Sequence, residues 1–262
     1  MSRQIITLTS DWNSKAYYEA AVKGAFLSHC GDVNIVNISH EIAPYNISQA
    51  VFVIKNSYKF FPAETVHIVA VNSDFSKTQS YVLARYDSQF FICTDNGFFS
   101  LFFDDEPEFM IEIDATNESN EAIFPELSIF PKIVAKIIQK VQIEEIGKPK
   151  TETVQMSQLN PVYDNSSITG HVVYIDSYQN AITNISNEMF EKIGKGRAFE
   201  ILMNNNFYTI SKISNQYSEI KNGDLLAIFN SVGKLEVAVK NGPIASLLKL
   251  ELKSNIRIKF LD

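Results

Sequence analysis

The sequence predicts an α/β domain with a mainly parallel sheet, followed by an all-β domain. Up to about residue 146, short apolar runs alternate with segments of helical periodicity, which is typical of a sheet covered by helices. From 147 to 168, polar residues and prolines replace that pattern, as in a linker or a surface stretch. From 169 to 262, short strands separated by turns dominate, which indicates a small barrel or a sandwich.

The first strand and helix are the elements around which the N-terminal domain is organised. Ile5, Ile6 and Leu8 make an uncharged apolar run, typical of a central strand buried on both faces. A helical pattern follows from about Ala16 to Leu27. Further strands are predicted at 34–38 and 66–72, a hairpin at 81–86 and 89–93, and helices at 47–58 and 129–141.

The second domain is predicted from strand-like segments alone. Asn-Gly and Gly-Lys dipeptides between these segments favour turns. The strands are predicted at 171–175, 198–202, 207–210, 225–230, 235–239 and 256–260.

Composition and charge limit the possible classes of function. Of 262 residues, 45% are hydrophobic and 20% are charged, which is typical of a globular protein with a real core. The net charge of −7, without a basic block, argues against a nucleic-acid partner. Cys30, Cys93 and the four histidines lack metal-site spacing, so we expect neither a metal nor a cofactor. Without a signal peptide or an apolar run of ~20 residues, we expect a cytoplasmic protein with no membrane partner.

Polar clusters follow several of the apolar strands. Asp11 and Trp12 come directly after the first strand. Ligands bind beyond the carboxyl ends of strands in an open parallel sheet, so Asp11 is a candidate ligand contact. The alternative is that it caps the next helix. Asn72 to Asp74 follows the third strand, and Tyr174 to Asn184 bends between two apolar stretches; such bends often only satisfy their own backbone.

Two other segments also leave alternatives open. Asn230 to Gly233 is either a hairpin turn or part of a site. His40 and Glu41 could form an acid/base pair. Because adjacent side chains need not face one site, a structural role is the favoured interpretation for this pair.

Five segments in a fixed order carry a family resemblance over nearly the whole chain. Together they resemble the S-adenosyl-L-methionine (SAM) hydroxide adenosyltransferases, or SAM hydrolases, which are relatives of the bacterial fluorinase and chlorinase. The family's T-[TS]-D-F-G is similar to 9–13, [TS]-H-E-[IV]-x-P to 39–44, P-D-N-G to 94–97, I-D-x-F-G-N-x-x-T-N to 175–184, and N-S-x-G-x-L-E-[IV]-A-[VR]-x-x-G to 230–242.

The resemblance implies a Rossmann-like N-terminal domain and a small β-barrel C-terminal domain. It also implies a homotrimer whose adenosyl sites lie between the N-terminal domain of one subunit and the C-terminal domain of its neighbour. Asp11 would accept hydrogen bonds from the ribose hydroxyls, since an ionised carboxylate can accept from both. Asp176 would contact the methionine ammonium, and Asn180 would recognise the adenine edge. The other implied contacts are Trp12, Asn72, Tyr178, Ser231, Ala238 and Asn241.

The resemblance fails at the family's catalytic positions. In V-D-P-G-V-G-[TS]-x-R the Asp is replaced by Asn72 and the Arg by Gln79. In F-H-G-R-D-[IL]-F the His is replaced by Pro125. Asn and Gln can orient a water but cannot take its proton, and general-base help is worth ~10²–10⁴-fold in rate. We therefore expect hydrolysis to be weakened.

Two functions follow from this mixture of retained and lost residues. The first is SAM hydrolysis with a rearranged base, for which Asp74 and Glu126 are the nearest carboxylates in sequence. The second is a catalytically silent protein that binds SAM or adenosine, since the implied binding residues survive.

Overall fold

The computed structural model describes residues 3–73, 79–114, 124–203 and 208–261. The chain divides into two compact units, of which the first ends at Ser157 and the second begins at Gln158. No helix within the described ranges is long and apolar enough to cross a membrane.

The first unit contains seven described strands and five described α-helices. The strands are β1 (Gln4–Ser10), β2 (Val33–Ser39), β3 (Val66–Ala70), β4 (Tyr81–Tyr86), β5 (Gln89–Thr94), β6 (Phe109–Ile113) and β7 (Gly147–Pro149). The helices are α1 (Tyr18–Cys30), α2 (Ile47–Lys55), α3 (Phe98–Phe102), α4 (Pro125–Ser128) and α5 (Phe130–Ile138).

The sheet of the first unit is mixed, so the predicted mainly parallel arrangement is wrong. Its strand order is β2-β1-β3-β5-β4-β6-β7. Strands β2, β1, β3 and β5 are parallel, whereas β4, β6 and β7 join with antiparallel pairing. The cause is the hairpin between β4 and β5, whose predicted position is confirmed. Asp87 and Ser88 both have positive φ, as a tight hairpin turn requires, and so short a connection cannot carry a parallel crossover.

Apolar side chains cover both faces of this sheet. Ile6 and Leu8 pack in one cluster with Phe26 of α1 and Phe130 of α5. A second cluster gathers residues of α2 and α3 against β3, β4 and β5. The last five residues of β1 are buried, which confirms the prediction of a central strand enclosed on both sides.

His67 is a buried polar link between the parallel strands. Its Nδ1 lies 2.7 Å from Thr7 Oγ1 on β1, and its Nε2 lies 2.7 Å from Gln89 Oε1 on β5. A carboxamide oxygen can only accept, so Nε2 carries the proton and the Thr7 hydroxyl donates to Nδ1. Burial lowers the pKa of His67 to about 4, against the opposing effect of the Gln89 hydrogen bond.

This histidine makes the stability of the protein sensitive to acid. Between pH 6.5 and about 4 the unfolded chain binds a proton at His67 that the folded chain does not, so stability falls as the pH falls. The loss amounts to about 3 kcal/mol by pH 4. In chemical denaturation series across this range, His67→Gln should flatten the pH dependence, while the exposed control His29→Gln should leave it unchanged. An equally steep dependence in His67→Gln would contradict the assignment.

The second unit contains eight described strands and two described α-helices. The strands are β8 (Val162–Tyr163), β9 (Ser167–Ile175), β10 (Ala181–Ser186), β11 (Phe199–Met203), β12 (Thr209–Ile210), β13 (Leu225–Phe229), β14 (Lys234–Val239) and β15 (Asn255–Phe260). The helices are α6 (Asn187–Gly194) and α7 (Ile244–Leu248).

The strands of the second unit form a nearly closed antiparallel barrel. The order is β12-β11-β15-β9-β10-β14-β13, with β8 paired beside β9. Ile213, just after β12, bridges to Ala227 of β13, so the two ends of the sheet approach each other. One apolar cluster fills the interior. Of the two predicted architectures, the barrel is the one observed. Within the predicted linker 147–168, β7 pairs with β6 and β8 pairs with β9.

Candidate functional site

The carboxylate of Asp11 holds together the carboxyl edge of the parallel strands in the first unit. Its Oδ2 accepts hydrogen bonds from the backbone N–H groups of Tyr45, at 2.9 Å, and Asn72, at 3.2 Å. Tyr45 lies in the loop after β2, and Asn72 follows β3 with a positive φ of 50°. Because α1 begins at Tyr18, Asp11 does not cap that helix. Asp11 is half-buried and can accept further hydrogen bonds.

Trp12 belongs to an aromatic cluster at the same edge. Its ring stacks on His40 with centroids 6.1 Å apart and meets Phe124 edge-on at 5.1 Å. Tyr18 packs beside both Trp12 and Phe124. Trp12 is only partly buried, so part of the indole is accessible to a ligand, and its implied role as a ligand contact stays a prediction.

His40 and Glu41 have separate partners. His40 is buried, and its Nδ1 lies 2.6 Å from the Ser10 hydroxyl. Burial lowers the pKa of His40, although Glu19, 3.8 Å from its Nε2, acts in the opposite direction. Glu41 instead accepts hydrogen bonds from the backbone and side chain of Ser14. This geometry supports the structural interpretation over an acid/base pair.

The three positions to which the resemblance assigns the family's catalytic residues, Asn72, Gln79 and Pro125, lie around this edge. Asn96 donates from Nδ2 to the carbonyls of Val71 and Asn72, which fixes the chain directly after β3. Gln79 is half-buried and precedes β4, and Pro125 is buried in the first turn of α4. Asp74 lies outside the described residues.

Glu126 is fully buried beside the end of β5. Burial, followed by the charge of Glu126, raises the pKa of Tyr81 to about 12. Burial and then Glu126 also raise the pKa of Cys93. Tyr81 pairs with Thr94 at the end of β5, and the Thr94 hydroxyl donates to the carbonyl of Ser73 at 3.4 Å. The carboxylate of Glu126 therefore lies at the same sheet edge as Ser73.

A pocket of about 800 Å³ opens in the second unit. The residues that line it include four of the predicted ligand contacts and two that sequence reasoning missed. They are Asp176, Tyr178, Asn180 and Asn241, and then Tyr217 and Glu236. Ser231, exposed in the turn after β13, and Ala238, buried within β14, are not among the described residues that line this pocket. Their predicted roles remain predictions.

Asp176 stabilises the bend from which the pocket is built. Its Oδ1 accepts from the backbone N–H groups of Tyr178, at 2.9 Å, and Asn180, at 2.8 Å. Its Oδ2 accepts from Asn180 Nδ2 at 3.0 Å. The bend thus satisfies its own backbone, as the simple-turn interpretation predicts, and it also lines a pocket. An ionised carboxylate has about four acceptor positions, so Oδ2 can still accept from an ammonium group.

Half-buried Tyr217 and buried Glu236 form a hydrogen-bonded pair next to Asn180. The Tyr217 hydroxyl donates to Glu236 Oε1, and Asn180 Nδ2 lies 3.4 Å from the same hydroxyl. Burial and then the hydrogen bond to Glu236 raise the pKa of Tyr217, so the phenol keeps its proton. Glu236 lies within the segment 230–242 that carries the family resemblance, but the motif does not assign it a role and strand alternation does not show which face it occupies. No motif marks Tyr217.

No group of three His, Cys, Asp or Glu side chains in the described ranges is arranged to hold a metal ion.

The fold is that of a two-domain protein, with polar groups gathered at one sheet edge and in one barrel pocket. Residues 6–147 match the SAM hydroxide adenosyltransferase N-terminal domain, and residues 170–257 match the SAM hydroxide adenosyltransferase C-terminal domain. The chain therefore belongs to the SAM hydroxide adenosyltransferase family, and the resemblance seen in the sequence is confirmed.

Curated relatives carry names consistent with this family. The chain is 26% identical over 263 residues to the (R)-S-adenosyl-L-methionine hydrolase of Methanocaldococcus jannaschii, covering 97% of this chain and 95% of the relative. It is 22% identical to the (R)-S-adenosyl-L-methionine hydrolase of Thermus thermophilus, covering 95% and 97%. A fluorinase of Actinopolyspora mzabensis is 35% identical over 65 residues, or 25% of this chain and 22% of the relative.

Solved structures show the same fold. A crystal structure of an uncharacterized conserved protein from Thermotoga maritima superposes with a TM-score of 0.87 at 22% identity, covering 98% of this chain and 100% of that chain. A conserved hypothetical protein from Thermus thermophilus gives a TM-score of 0.73 at 20% identity, covering 99% and 100%.

Asp11 accepts two backbone hydrogen bonds and is also a candidate ligand contact, so two substitutions should have different effects. Asp11→Ala removes the acceptor of two backbone N–H groups and should lower the free energy of unfolding by about 1–2 kcal/mol. Asp11→Asn keeps an oxygen for them and should cost under about 1 kcal/mol. If Asp11 also contacts the ribose, as the resemblance implies, Asp11→Asn should weaken adenosine binding about tenfold by losing the charge. Denaturation and calorimetric titration measure the two effects. The exposed control Asp32→Ala should change neither; wild-type affinity in Asp11→Asn would assign Asp11 to structure alone.

Proposed function

We propose that the protein binds SAM and hydrolyses it to adenosine and methionine, with activity weakened relative to a family member that has the Asp-Arg-His set. The observation that carries this proposal is the pocket in which the backbone N–H and the side-chain amide of Asn180 donate hydrogen bonds to Asp176. Membership of the family and the names of the curated relatives support it. We place this activity in the cytoplasm.

The reaction is a displacement at the ribose 5′ carbon. An oxygen of water forms a bond to that carbon as the carbon–sulfur bond breaks, and the electron pair leaves with the sulfur of methionine. The attacking water must lose a proton, which the amides of Asn72 and Gln79 cannot accept. Pro125 offers no polar side-chain group. The chemistry therefore depends on another base.

Asp74 and Glu126 are the carboxylates that we propose as substitutes. Glu126 is supported by its position at the sheet edge that also holds Asp11 and Ser73. As a fully buried carboxylate, it would take a proton from a water admitted with the substrate.

A matched set of variants tests the base. If one carboxylate serves, its neutral variant, Asp74→Asn or Glu126→Gln, should lower the hydrolysis rate by ~10²-fold or more. Adenosine affinity should stay within about twofold, since binding does not need the base. Glu106→Gln, on the exposed surface, is the control and should behave as wild type. Wild-type rates in both Asp74→Asn and Glu126→Gln would exclude a rebuilt carboxylate base.

A second function is a catalytically silent protein that binds SAM or adenosine. The specific observation in its favour is the contrast between the two sets of residues. Asp11, Asp176 and Asn180 are hydrogen-bonded side chains at an edge or in a pocket, while the catalytic positions carry two amides and a proline.

One incubation separates these functions. The pure protein with saturating SAM should release adenosine and methionine in equal amounts, measured by chromatography, and SAM should raise the melting temperature. A melting shift without release would support the silent binding protein. Absence of both release and any melting shift with SAM or adenosine would refute both functions.

We also propose that the protein is a homotrimer whose adenosyl sites combine the first unit of one subunit with the second unit of its neighbour. Asp11→Asn and Asn180→Ala would then damage opposite sides of each shared site. When the two variants are mixed after dissociation and reassembled, random assembly should restore about a quarter of the sites. Equilibrium dialysis with labelled adenosine counts them, and light scattering gives the mass. A monomer, or no recovered sites, would contradict this arrangement.

A further inference from the structure

A chain of hydrogen bonds runs from a hairpin turn to the pocket of the second unit. It begins at Asn230, passes through Glu236 and Tyr217, and ends at the side-chain amide of Asn180. Glu236 lies on β14, paired with Ile182 of β10 and Ile228 of β13, and is 6% exposed. Burying a carboxylate is costly unless its oxygens are hydrogen-bonded, and here Asn230 and Tyr217 supply one donor to each oxygen.

The turn fixes the orientation of the first amide. Asn230 Oδ1 accepts hydrogen bonds from the backbone N–H groups of Val232, at 3.2 Å, and Lys234, at 3.1 Å. The Asn230 amide nitrogen must therefore face Glu236, and it donates to Oε2 at 3.1 Å. The turn thus serves as a structural anchor for the chain of hydrogen bonds.

Each later bond has its direction set by the one before it. An ionised carboxylate can only accept hydrogen bonds, so the Tyr217 hydroxyl donates its hydrogen to Glu236. That leaves the Tyr217 oxygen as an acceptor for Asn180 Nδ2, at the long distance of 3.4 Å. Asp176 accepts the other hydrogen of the same amide at 3.0 Å.

These hydrogen bonds leave one group of the Asn180 side chain available to a ligand, the amide oxygen Oδ1. Both amide hydrogens are used, whereas Oδ1 accepts no hydrogen bond from the described residues and is not among the buried atoms without a partner. Asn180 also lines the pocket. Its Oδ1 is thus an acceptor that an incoming ligand can reach.

We propose that Tyr217 and Glu236 are positioning residues that hold Asn180 as an obligate acceptor, so that the pocket selects a purine with a 6-amino group over one with a 6-oxo group. An exocyclic amine can donate to Asn180 Oδ1, whereas a 6-oxo group would set two acceptors against each other. This inference rests on the proposed adenosyl ligand and adds the residues that enforce its base specificity.

The order of these hydrogen bonds predicts unequal effects for two substitutions. Tyr217→Phe removes one of the two acceptors that hold the Asn180 amide, and Asp176 still holds the other. Glu236→Gln has a larger effect, because its oxygen must face the fixed Asn230 donor and its amide nitrogen then faces Tyr217. The Tyr217 hydroxyl then points its hydrogen at the Asn180 amide, which favours a flipped amide whose Oδ1 faces Tyr217 instead of the ligand.

The experiment measures the affinities of adenosine and inosine by calorimetric titration of the full-length protein. Wild type should prefer adenosine by at least about tenfold. Tyr217→Phe should lower this ratio about threefold, and Glu236→Gln should lower it about tenfold. The double variant should match Tyr217→Phe, because Glu236 acts only through Tyr217. Tyr163→Phe, the same change on exposed β8, is the control and should keep the wild-type ratio.

Melting curves show which variants fold, and the other outcomes count against either the positioning inference or the proposed function. An unchanged ratio in folded Tyr217→Phe overturns the inference, as does an equal loss of affinity for both nucleosides. A double variant with a much lower ratio than Tyr217→Phe also overturns it, because the two residues would then act independently. If wild type binds neither nucleoside nor SAM, the proposed function fails first. If wild type binds adenosine selectively but the variants do too, only the positioning inference fails.

Discussion

The carboxylate of Asp11 is the constraint on which the polar edge of the first unit depends. It joins the end of β1 to the loop after β2 and to the residue after β3 through two backbone N–H groups. Backbone N–H groups outside secondary structure need acceptors, and a charged acceptor forms stronger hydrogen bonds than a neutral one. The same carboxylate is the proposed ribose contact. If that proposal holds, structure and binding depend on a single side chain, and a substitution to alanine alone cannot separate the two roles.

Hydrogen-bonded polar side chains play a corresponding part in the second unit. Asp176 shapes the bend, and Glu236 collects donors from a turn and from Tyr217. Removing one partner of such a network leaves another buried group unsatisfied, so each member restricts the orientation of the next. A pocket built in this way can present a fixed pattern of acceptors to a ligand. It does not by itself supply a base, and binding can therefore persist when catalysis is weakened.

The sequence predicted those features that arise from local patterns. The apolar run of β1 and the hairpin of β4 and β5 were found because period and turn residues are local signals. The mixed sheet was missed because strand–helix alternation was extended past a hairpin that reverses the chain. Asp176 and Asn180 were found through a motif, whereas Tyr217 was not, since it lies 37 residues from Asn180 and no periodicity marks it. Contacts of that kind depend on how the barrel closes.

A crystal structure of the protein with SAM or adenosine bound would show the ligand contacts themselves. We expect an adenine ring with its 6-amino group within hydrogen-bonding distance of Asn180 Oδ1, in the pocket that Asp176 and Tyr217 line. We expect the ribose hydroxyls at the carboxylate of an Asp11. A ligand that leaves both Asn180 and Asp11 uncontacted, in crystals grown with saturating ligand, would contradict both expectations.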